Sequence, residues 1–202
     1  MVTRTTIGVL ALQGGVREHL VALDLCGVSA VPVKTVEQLD LIQGLILPGG
    51  ESTTIIKLAS QYELVEPIKE RIRSGFPVFG SCAGMILLAD HIEAGTADQE
   101  TFGGLDAVVQ RNAFGRQSES FETPLRLDND IAPFPGVFIR APLVVSVGSG
   151  VNVISTIEGG AYAGRVVGIE QENLMATAFH PELTPDLRVH HRFVKMVNRS
   201  QW

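Results

Sequence analysis

Three short stretches of the chain carry side chains that together could perform acyl transfer. Gly80-Ser81-Cys82-Ala83-Gly84 has the G-x-S-x-G spacing of a nucleophile elbow, with sulfur in place of oxygen. It lies between an apolar run that reads as a strand, Phe76 to Gly80, and a run that reads as a helix, Ala83 to Ala89. That is the context the motif requires, because the sharp turn admits only small residues two positions before and two after the nucleophile. A thiol at a helix start faces unpaired N–H groups and the positive end of the helix dipole, a setting that favours the thiolate.

A thiol nucleophile needs a base, and the chain has five histidines. His180 stands apart because it ends the apolar strand Leu174 to Phe179 and is followed at once by Pro181-Glu182. In extended geometry the side chains of residues 180 and 182 point the same way, so Glu182 can orient one ring nitrogen while the other faces Cys82. The remaining four have plainer readings: His19 on a helix beside Glu18, His91 near a helix end, and His190 with His191 on a solvated helical stretch. Pro48-Gly49-Gly50 follows a third apolar strand, and its unencumbered amides, with that of Ala83, could receive a tetrahedral oxyanion. Cys26 reads as a small buried hydrophobe.

The elements that must position these groups alternate through the first ninety residues between short β-branched runs and helical patterns, the sign of strand–helix–strand units around a parallel sheet. Strands are expected over Ile7 to Leu12, Val28 to Val33 and Gly44 to Leu47. Val16, Leu20 and Leu23 lay an apolar face on a helix that Gly27 can end, and Thr35 with Gln38 forms a capping-box pair. Ser52 or Thr53 can cap a helix over Ile55 to Ala59, and another runs from Glu63 to Arg73 until Gly75 stops it. From Phe102 the pattern becomes short apolar or alternating runs, 105–110, 120–127, 137–139, 144–147, 151–157, 165–171 and 174–178, closed by a helix over Asp186 to Val197. An α/β three-layer sandwich around a mixed, mostly parallel sheet with an added antiparallel sheet is expected, as one domain over residues 1–202.

Composition narrows the function further. Sixteen Lys and Arg against 22 Asp and Glu give a net charge of −6, which leaves no basic field for nucleic acid or an anionic membrane. The apolar run Ile7 to Leu12 is too short to span a bilayer, and no secretory signal is evident, so a cytoplasmic chain is expected. Its two cysteines should then be free thiols, and the sequon Asn198-Arg199-Ser200 has no bearing. No cysteine pair or His-Glu-x-x-His helix offers a metal site, and no cofactor is called for.

With these motifs in order along the chain, the sequence resembles the triad-type (class I) glutamine amidotransferases. Five blocks narrow the likeness to the glutaminase subunits of pyridoxal 5′-phosphate synthase. They are Leu12-Gln13-Gly14, Gly49-Gly50-Glu51-Ser52-Thr53-Thr54, Arg111-Asn112 with Phe114-Gly115-Arg116-Gln117, Phe138-Ile139-Arg140-Ala141-Pro142, and Phe179-His180-Pro181-Glu182-Leu183. The resemblance implies hydrolysis of L-glutamine to L-glutamate and ammonia, which passes to a synthase subunit in a hetero-oligomeric complex of many copies. It implies Cys82 as nucleophile, His180 as general acid and base, and Glu182 as its orienting carboxylate. Gly50, Glu51, Ser52, Arg111, Ile139 and Arg140 fall at glutamine-binding positions, and Gly49, Gly50 and Ala83 at the oxyanion hole. It also implies that the free subunit works poorly until the partner orders the Gly49-Gly50 amides. A glutaminase serving histidine or aminodeoxychorismate synthesis would share the elbow and triad, whereas a redox sensor built on Cys82 would leave His180 and Glu182 idle.

Overall fold

The computed structural model describes residues 4–93, 99–111, 113, 120–128 and 130–200. Strand β1 (Thr6–Leu10) leads to α1 (Val16–Leu25), β2 (Ser29–Val33), the single turn α2 (Val36–Leu39), β3 (Gly44–Leu47), α3 (Ser52–Gln61), α4 (Val65–Arg73), β4 (Val78–Ser81) and α5 (Ala83–Leu88). β1 pairs in parallel with β2 and β3, and β3 with β4. Every residue of β3 and β4 is buried, which explains why their sequences run apolar or small without alternation: helices cover both faces.

The second half supplies β5 (Ala89–Glu93), β6 (Leu105–Gln110), β7 (Ser120–Leu127), β8 (Phe134–Ile139), β9 (Leu143–Val147), β10 (Asn152–Ile157), β11 (Val166–Gln171), β12 (Leu174–Thr177) and α6 (Arg188–Arg199). A nine-stranded sheet results, in the order β2-β1-β3-β4-β12-β11-β10-β7-β8, with a three-stranded sheet β5-β6-β9 beside it. β12 continues the parallel half by pairing with β4, and every join from β12 to β8 is antiparallel. The large mixed sheet with a smaller second sheet is the expected architecture, and the small sheet is itself mixed, β5 running parallel to β6 and β9 antiparallel to it.

Strand β4 shows how the layers form. Phe79 points to the face covered by α1 and α6, where its ring meets His19, His190 and Phe193. Gly80 points the other way, onto α5, and α3 packs against α5 with α4 beyond it. The closing helix α6 buries Val189, His190, Phe193, Val194, Met196 and Val197 as one face, at the spacing an amphipathic helix requires.

Local details differ from expectation at four places. Glu51, not Ser52 or Thr53, is the N-cap of α3; its backbone is extended, Ser52 is already helical, and no side chain caps the end. Glu63 does not begin α4 but takes a left-handed conformation, φ 56°, that joins the two helices. After Leu88 the chain turns extended and enters β5, so His91 is an exposed strand residue and not a helix-end one. The pattern of β5 is too weakly alternating to announce a strand, and its pairing with β6 supplies what the pattern lacks. The capping box at α2 forms with a shift: Gln38 N–H donates to Thr35 Oγ1, while Gln38 Oε1 accepts from Lys34 N–H at 2.7 Å, one residue early.

Helix α5 can approach β3 this closely only because Gly84 lacks a side chain: a Cβ there would lie 2.1 Å from the Leu47 carbonyl oxygen. Gly84→Ala should therefore lower the stability to denaturant by roughly 1–3 kcal/mol, the usual cost of overpacking against backbone. Gly150→Ala, where nothing lies within 4 Å, should leave the unfolding midpoint unchanged. Equal midpoints for the two variants would show that the helix can shift to make room.

Candidate active site

The parallel pair β4–β12 brings the chemistry together. Ser81 lies opposite Thr177 in register, so both chains leave the sheet at the same end. Cys82 N–H donates to Thr177 O at 2.7 Å, which pins the elbow to the neighbouring strand. The elbow residue itself has φ 49° and ψ −103°, a left-handed conformation for a non-glycine residue and the mark of a constrained turn. Three residues past Thr177, His180 N–H donates to Val137 O at 2.9 Å, and a 3-10 turn over Pro181–Leu183 follows.

Cys82, His180 and Glu182 are all buried. His180 Nδ1 lies 2.7 Å from Glu182 Oε1, and Cys82, whose thiol donates to Ile139 O at 3.8 Å, stands beside the imidazole on the cleft wall. Burial alone disfavours charge on this ring, but the neighbouring Cys82 and Glu182 outweigh it and raise the His180 pKa from 6.5 to about 10. Burial likewise pushes Glu182 up, and the imidazoles of His19 and His180 overcome that to hold the carboxyl at about 2. Gly49 lies against both His180 and Cys82: a Cβ there would be 2.3 Å from His180 Cε1 and 3.4 Å from Cys82 Cβ.

A cleft of about 230 Å³ opens over the sulfur. Gly49, Gly50, Glu51, Ser52, Cys82, Ala83, Arg111, Ile139, Arg140 and His180, drawn from five separate segments, all line it, and Glu182 stands behind His180. Arg111 Nη2 donates to Glu51 Oε1 at 2.8 Å, an opposite-charge pair on the cleft wall. Arg140 is held in a left-handed conformation, φ 46°, just past the end of β8. The Gly49 amide departs from its expected place: its N–H donates to Ser81 Oγ at 3.1 Å, while its carbonyl accepts from Gly15 N–H, so it does not serve as an oxyanion donor in this arrangement. The Ala83 N–H stays outside the helix ladder, which begins with Met85 N–H to Cys82 O. Among the described residues no group of three or more His, Cys, Asp or Glu could hold a metal ion.

Residues 9–199 match the sequence model of the SNO glutamine amidotransferase family. The chain belongs to that family. It is 55% identical over 201 residues to a pyridoxal 5′-phosphate synthase subunit PdxT of Nocardioides sp. (strain ATCC BAA-499 / JS614), with 100% of each chain covered. It is 54% identical to the protein of that name from Salinispora arenicola (strain CNS-205), covering 98% of this chain and 99% of the relative. A crystal structure described as a glutamine amidotransferase superposes with a TM-score of 0.87 at 44% identity, covering 95% of this chain and 98% of the other.

Two contributors to the amidotransferase cleft escape a reading of spacing. Gln99 Oε1 accepts from Arg111 Nη1 at 2.7 Å, and Gln99 Nε2 donates to Ser52 Oγ at 2.9 Å, so this amide braces two wall residues. It sits outside any strand or helix, where no periodicity marks it. Gln13 Oε1 accepts from Glu51 N–H at 2.8 Å and fixes the loop after β3. Asn112 and Phe114-Gly115-Arg116-Gln117 lie outside the described residues. Cys26 is only half-buried, and burial lifts its thiol to about 11.

The other histidines are rearranged most. His190 is fully buried, not solvated, and His19 is buried with it, whereas His191 and His91 are exposed. Burial, reinforced by the neighbouring His19, lowers the His190 pKa from 6.5 to about 3. Below pH 6.5 the unfolded chain takes up a proton at this ring that the folded chain refuses, so acidification favours unfolding. Between pH 7 and pH 5 this ring should remove about 2 kcal/mol of stability. The fall in unfolding free energy over that interval should be correspondingly flatter in His190→Gln; parallel curves would mean that His190 is not excluded from protonation.

Proposed function

We propose that this amidotransferase is the glutaminase of a pyridoxal 5′-phosphate synthase, acting as one domain over residues 1–202. It hydrolyses L-glutamine to L-glutamate and ammonia through Cys82, His180 and Glu182, and it delivers the ammonia to a synthase subunit in the cytoplasm. The observation that carries this reading is His180 held by Glu182 on one side and standing beside Cys82 in the same cleft, with a cation and an anion on its wall. The names of the relatives favour this pathway over histidine or aminodeoxychorismate synthesis.

The reaction follows from the residues. Cys82 Sγ attacks the side-chain amide carbon of glutamine, and the developing oxyanion is met by the N–H groups of Ala83 and Gly50. With a pKa of about 10, His180 is protonated at neutral pH, so the proton required by the departing nitrogen is already in place. The C–N bond breaks, ammonia leaves, and a γ-glutamyl thioester remains on the sulfur. Neutral His180 then takes a proton from water as it attacks the thioester, and the C–S bond breaks to release glutamate. Glu182 stays ionised throughout and keeps Nδ1 protonated, which leaves Nε2 to exchange the proton. Arg111 and Glu51 present opposite charges to the α-carboxylate and α-ammonium of the substrate, and Gly50, Ser52, Ile139 and Arg140 complete its seat.

Glutamate release, measured with and without a co-expressed synthase partner, tests the assignment. Release should rise when the partner is present, and Cys82→Ala should lower it about a thousandfold. His180→Asn should lose turnover while still binding glutamine. No release under any condition would overturn the glutaminase reading, and release untouched by Cys82→Ala would overturn the mechanism.

A further inference from the structure

Two histidines without a step in this chemistry meet beneath the triad. His19 on α1 and His190 on α6 have no exposed surface, and His19 Nδ1 lies 3.0 Å from His190 Nε2. On its other side His19 Nε2 is 2.9 Å from Ser81 Oγ and 3.5 Å from Glu182 Oε2. Among the described residues neither Glu182 Oε2 nor His190 Nδ1 has a hydrogen-bond partner. The titratable groups acting on His19 are Glu182, His180 and Glu18; those acting on His190 are His19, Glu182 and His191. Burial holds both rings below their ordinary pKa, so each is neutral near pH 7 and carries one N–H.

A contact between two neutral rings leaves two arrangements. With the protons on both Nδ1 atoms, His19 donates to His190, the His190 Nδ1–H is buried without an acceptor, and the His19 Nε2 lone pair confronts the ionised Glu182. With the protons on both Nε2 atoms, His190 donates to His19, and the His19 Nε2–H points toward Ser81 Oγ and Glu182 Oε2. Ser81 Oγ then accepts two N–H groups, that of His19 and that of Gly49, and its own hydroxyl proton has no acceptor among the described residues. Each arrangement strands one donor, so the buried carboxylate decides: it repels a lone pair and attracts an N–H.

We propose that His19 is a positioning residue for glutamine hydrolysis, fixed in its Nε2–H tautomer by His190 so that its hydrogen is bonded to the Ser81 hydroxyl and faces the Glu182 carboxylate. Through Glu182 it orients His180, and through Ser81 it sets the peptide at Gly49. The inference rests on the assignment of Cys82, His180 and Glu182 as the reacting triad. His19 does not line the cleft, so its effect belongs to turnover and not to substrate binding.

The tests use the chain in complex with its synthase partner. His19→Leu should lower kcat roughly tenfold, the worth of one buried hydrogen bond, with KM for glutamine unchanged. The alkaline limb of kcat should move to lower pH, because a misplaced Glu182 no longer supports the His180 imidazolium. His19→Gln, which returns an N–H donor near the Nε2 position, should recover most of both. Nitrogen-15 spectra of the wild-type imidazoles, assigned by the signals lost in His19→Gln and His190→Gln, should show His19 and His190 as Nε2–H tautomers, which tests the claim even if His19→Leu fails to fold. Nδ1–H tautomers would overturn the inference, as would a folded His19→Leu with wild-type kcat and pH profile and only a lower melting temperature. If wild type releases no glutamate or Cys82→Ala still releases it, the triad assignment fails and takes this inference with it. If those controls behave and His19→Leu is unaltered, the positioning role alone fails.

Discussion

The register of β4 against β12 is the constraint on which the site depends. These two strands are far apart in the chain, and their parallel pairing puts Ser81 beside Thr177. The elbow and the histidine turn therefore leave the sheet side by side, and the Cys82 N–H to Thr177 O bond locks one to the other. A shift of one residue in β4 would exchange its faces, sending Phe79 into α5 and Gly80 toward α6. The packing of both helices thus enforces the register that the chemistry needs. The close fit at Gly84 and Gly49 belongs to the same arrangement, since a side chain at either position would push apart the elements that converge there.

Burying a carboxylate and an imidazolium under a sheet is costly unless each is paired. Here each charge is the other's partner: Glu182 Oε1 meets His180 Nδ1, and His180 also meets Cys82. The opposite displacements of the two pKa values share this interaction, with Cys82 adding to the rise at His180 and His19 to the fall at Glu182. The neutral pair His19 and His190 lies against the same carboxylate and brings no further charge into the interior. Ser81 joins the two systems, since its hydroxyl meets both His19 and the Gly49 amide.

The substrate side is organised differently. Arg111 and Glu51 are paired across the surface of the cleft and are partly open to solvent, where an ion pair contributes little to stability. Its value lies in geometry, because Gln99 fixes the guanidinium and Gln13 fixes the loop that bears Glu51. A charged substrate such as a free amino acid meets donors and acceptors already held in place, which lowers the ordering cost of binding.

The parts of this site that repeat a local rule were legible in the residues alone. Small residues around Cys82, an apolar strand before it, a helix after it, and Pro181 between His180 and Glu182 are demands of local backbone geometry, and they appear as spacing. The strands of the second half were legible too, with Leu105–Gln110 and Ser120–Leu127 falling where apolar alternation places them. Strand β5 was not, because its stability comes from β6, and neither was the burial of His190, because only the packing of α6 over Phe79 decides which face of that helix is dry. Gln99 and His19 acquire their partners across long separations in the chain. Side-chain type and local spacing announced which atoms could react; which amide turns to Ser81, which histidines are neutral and which glutamine braces the wall are properties of contacts between distant segments, and those come into being only when the sheet closes.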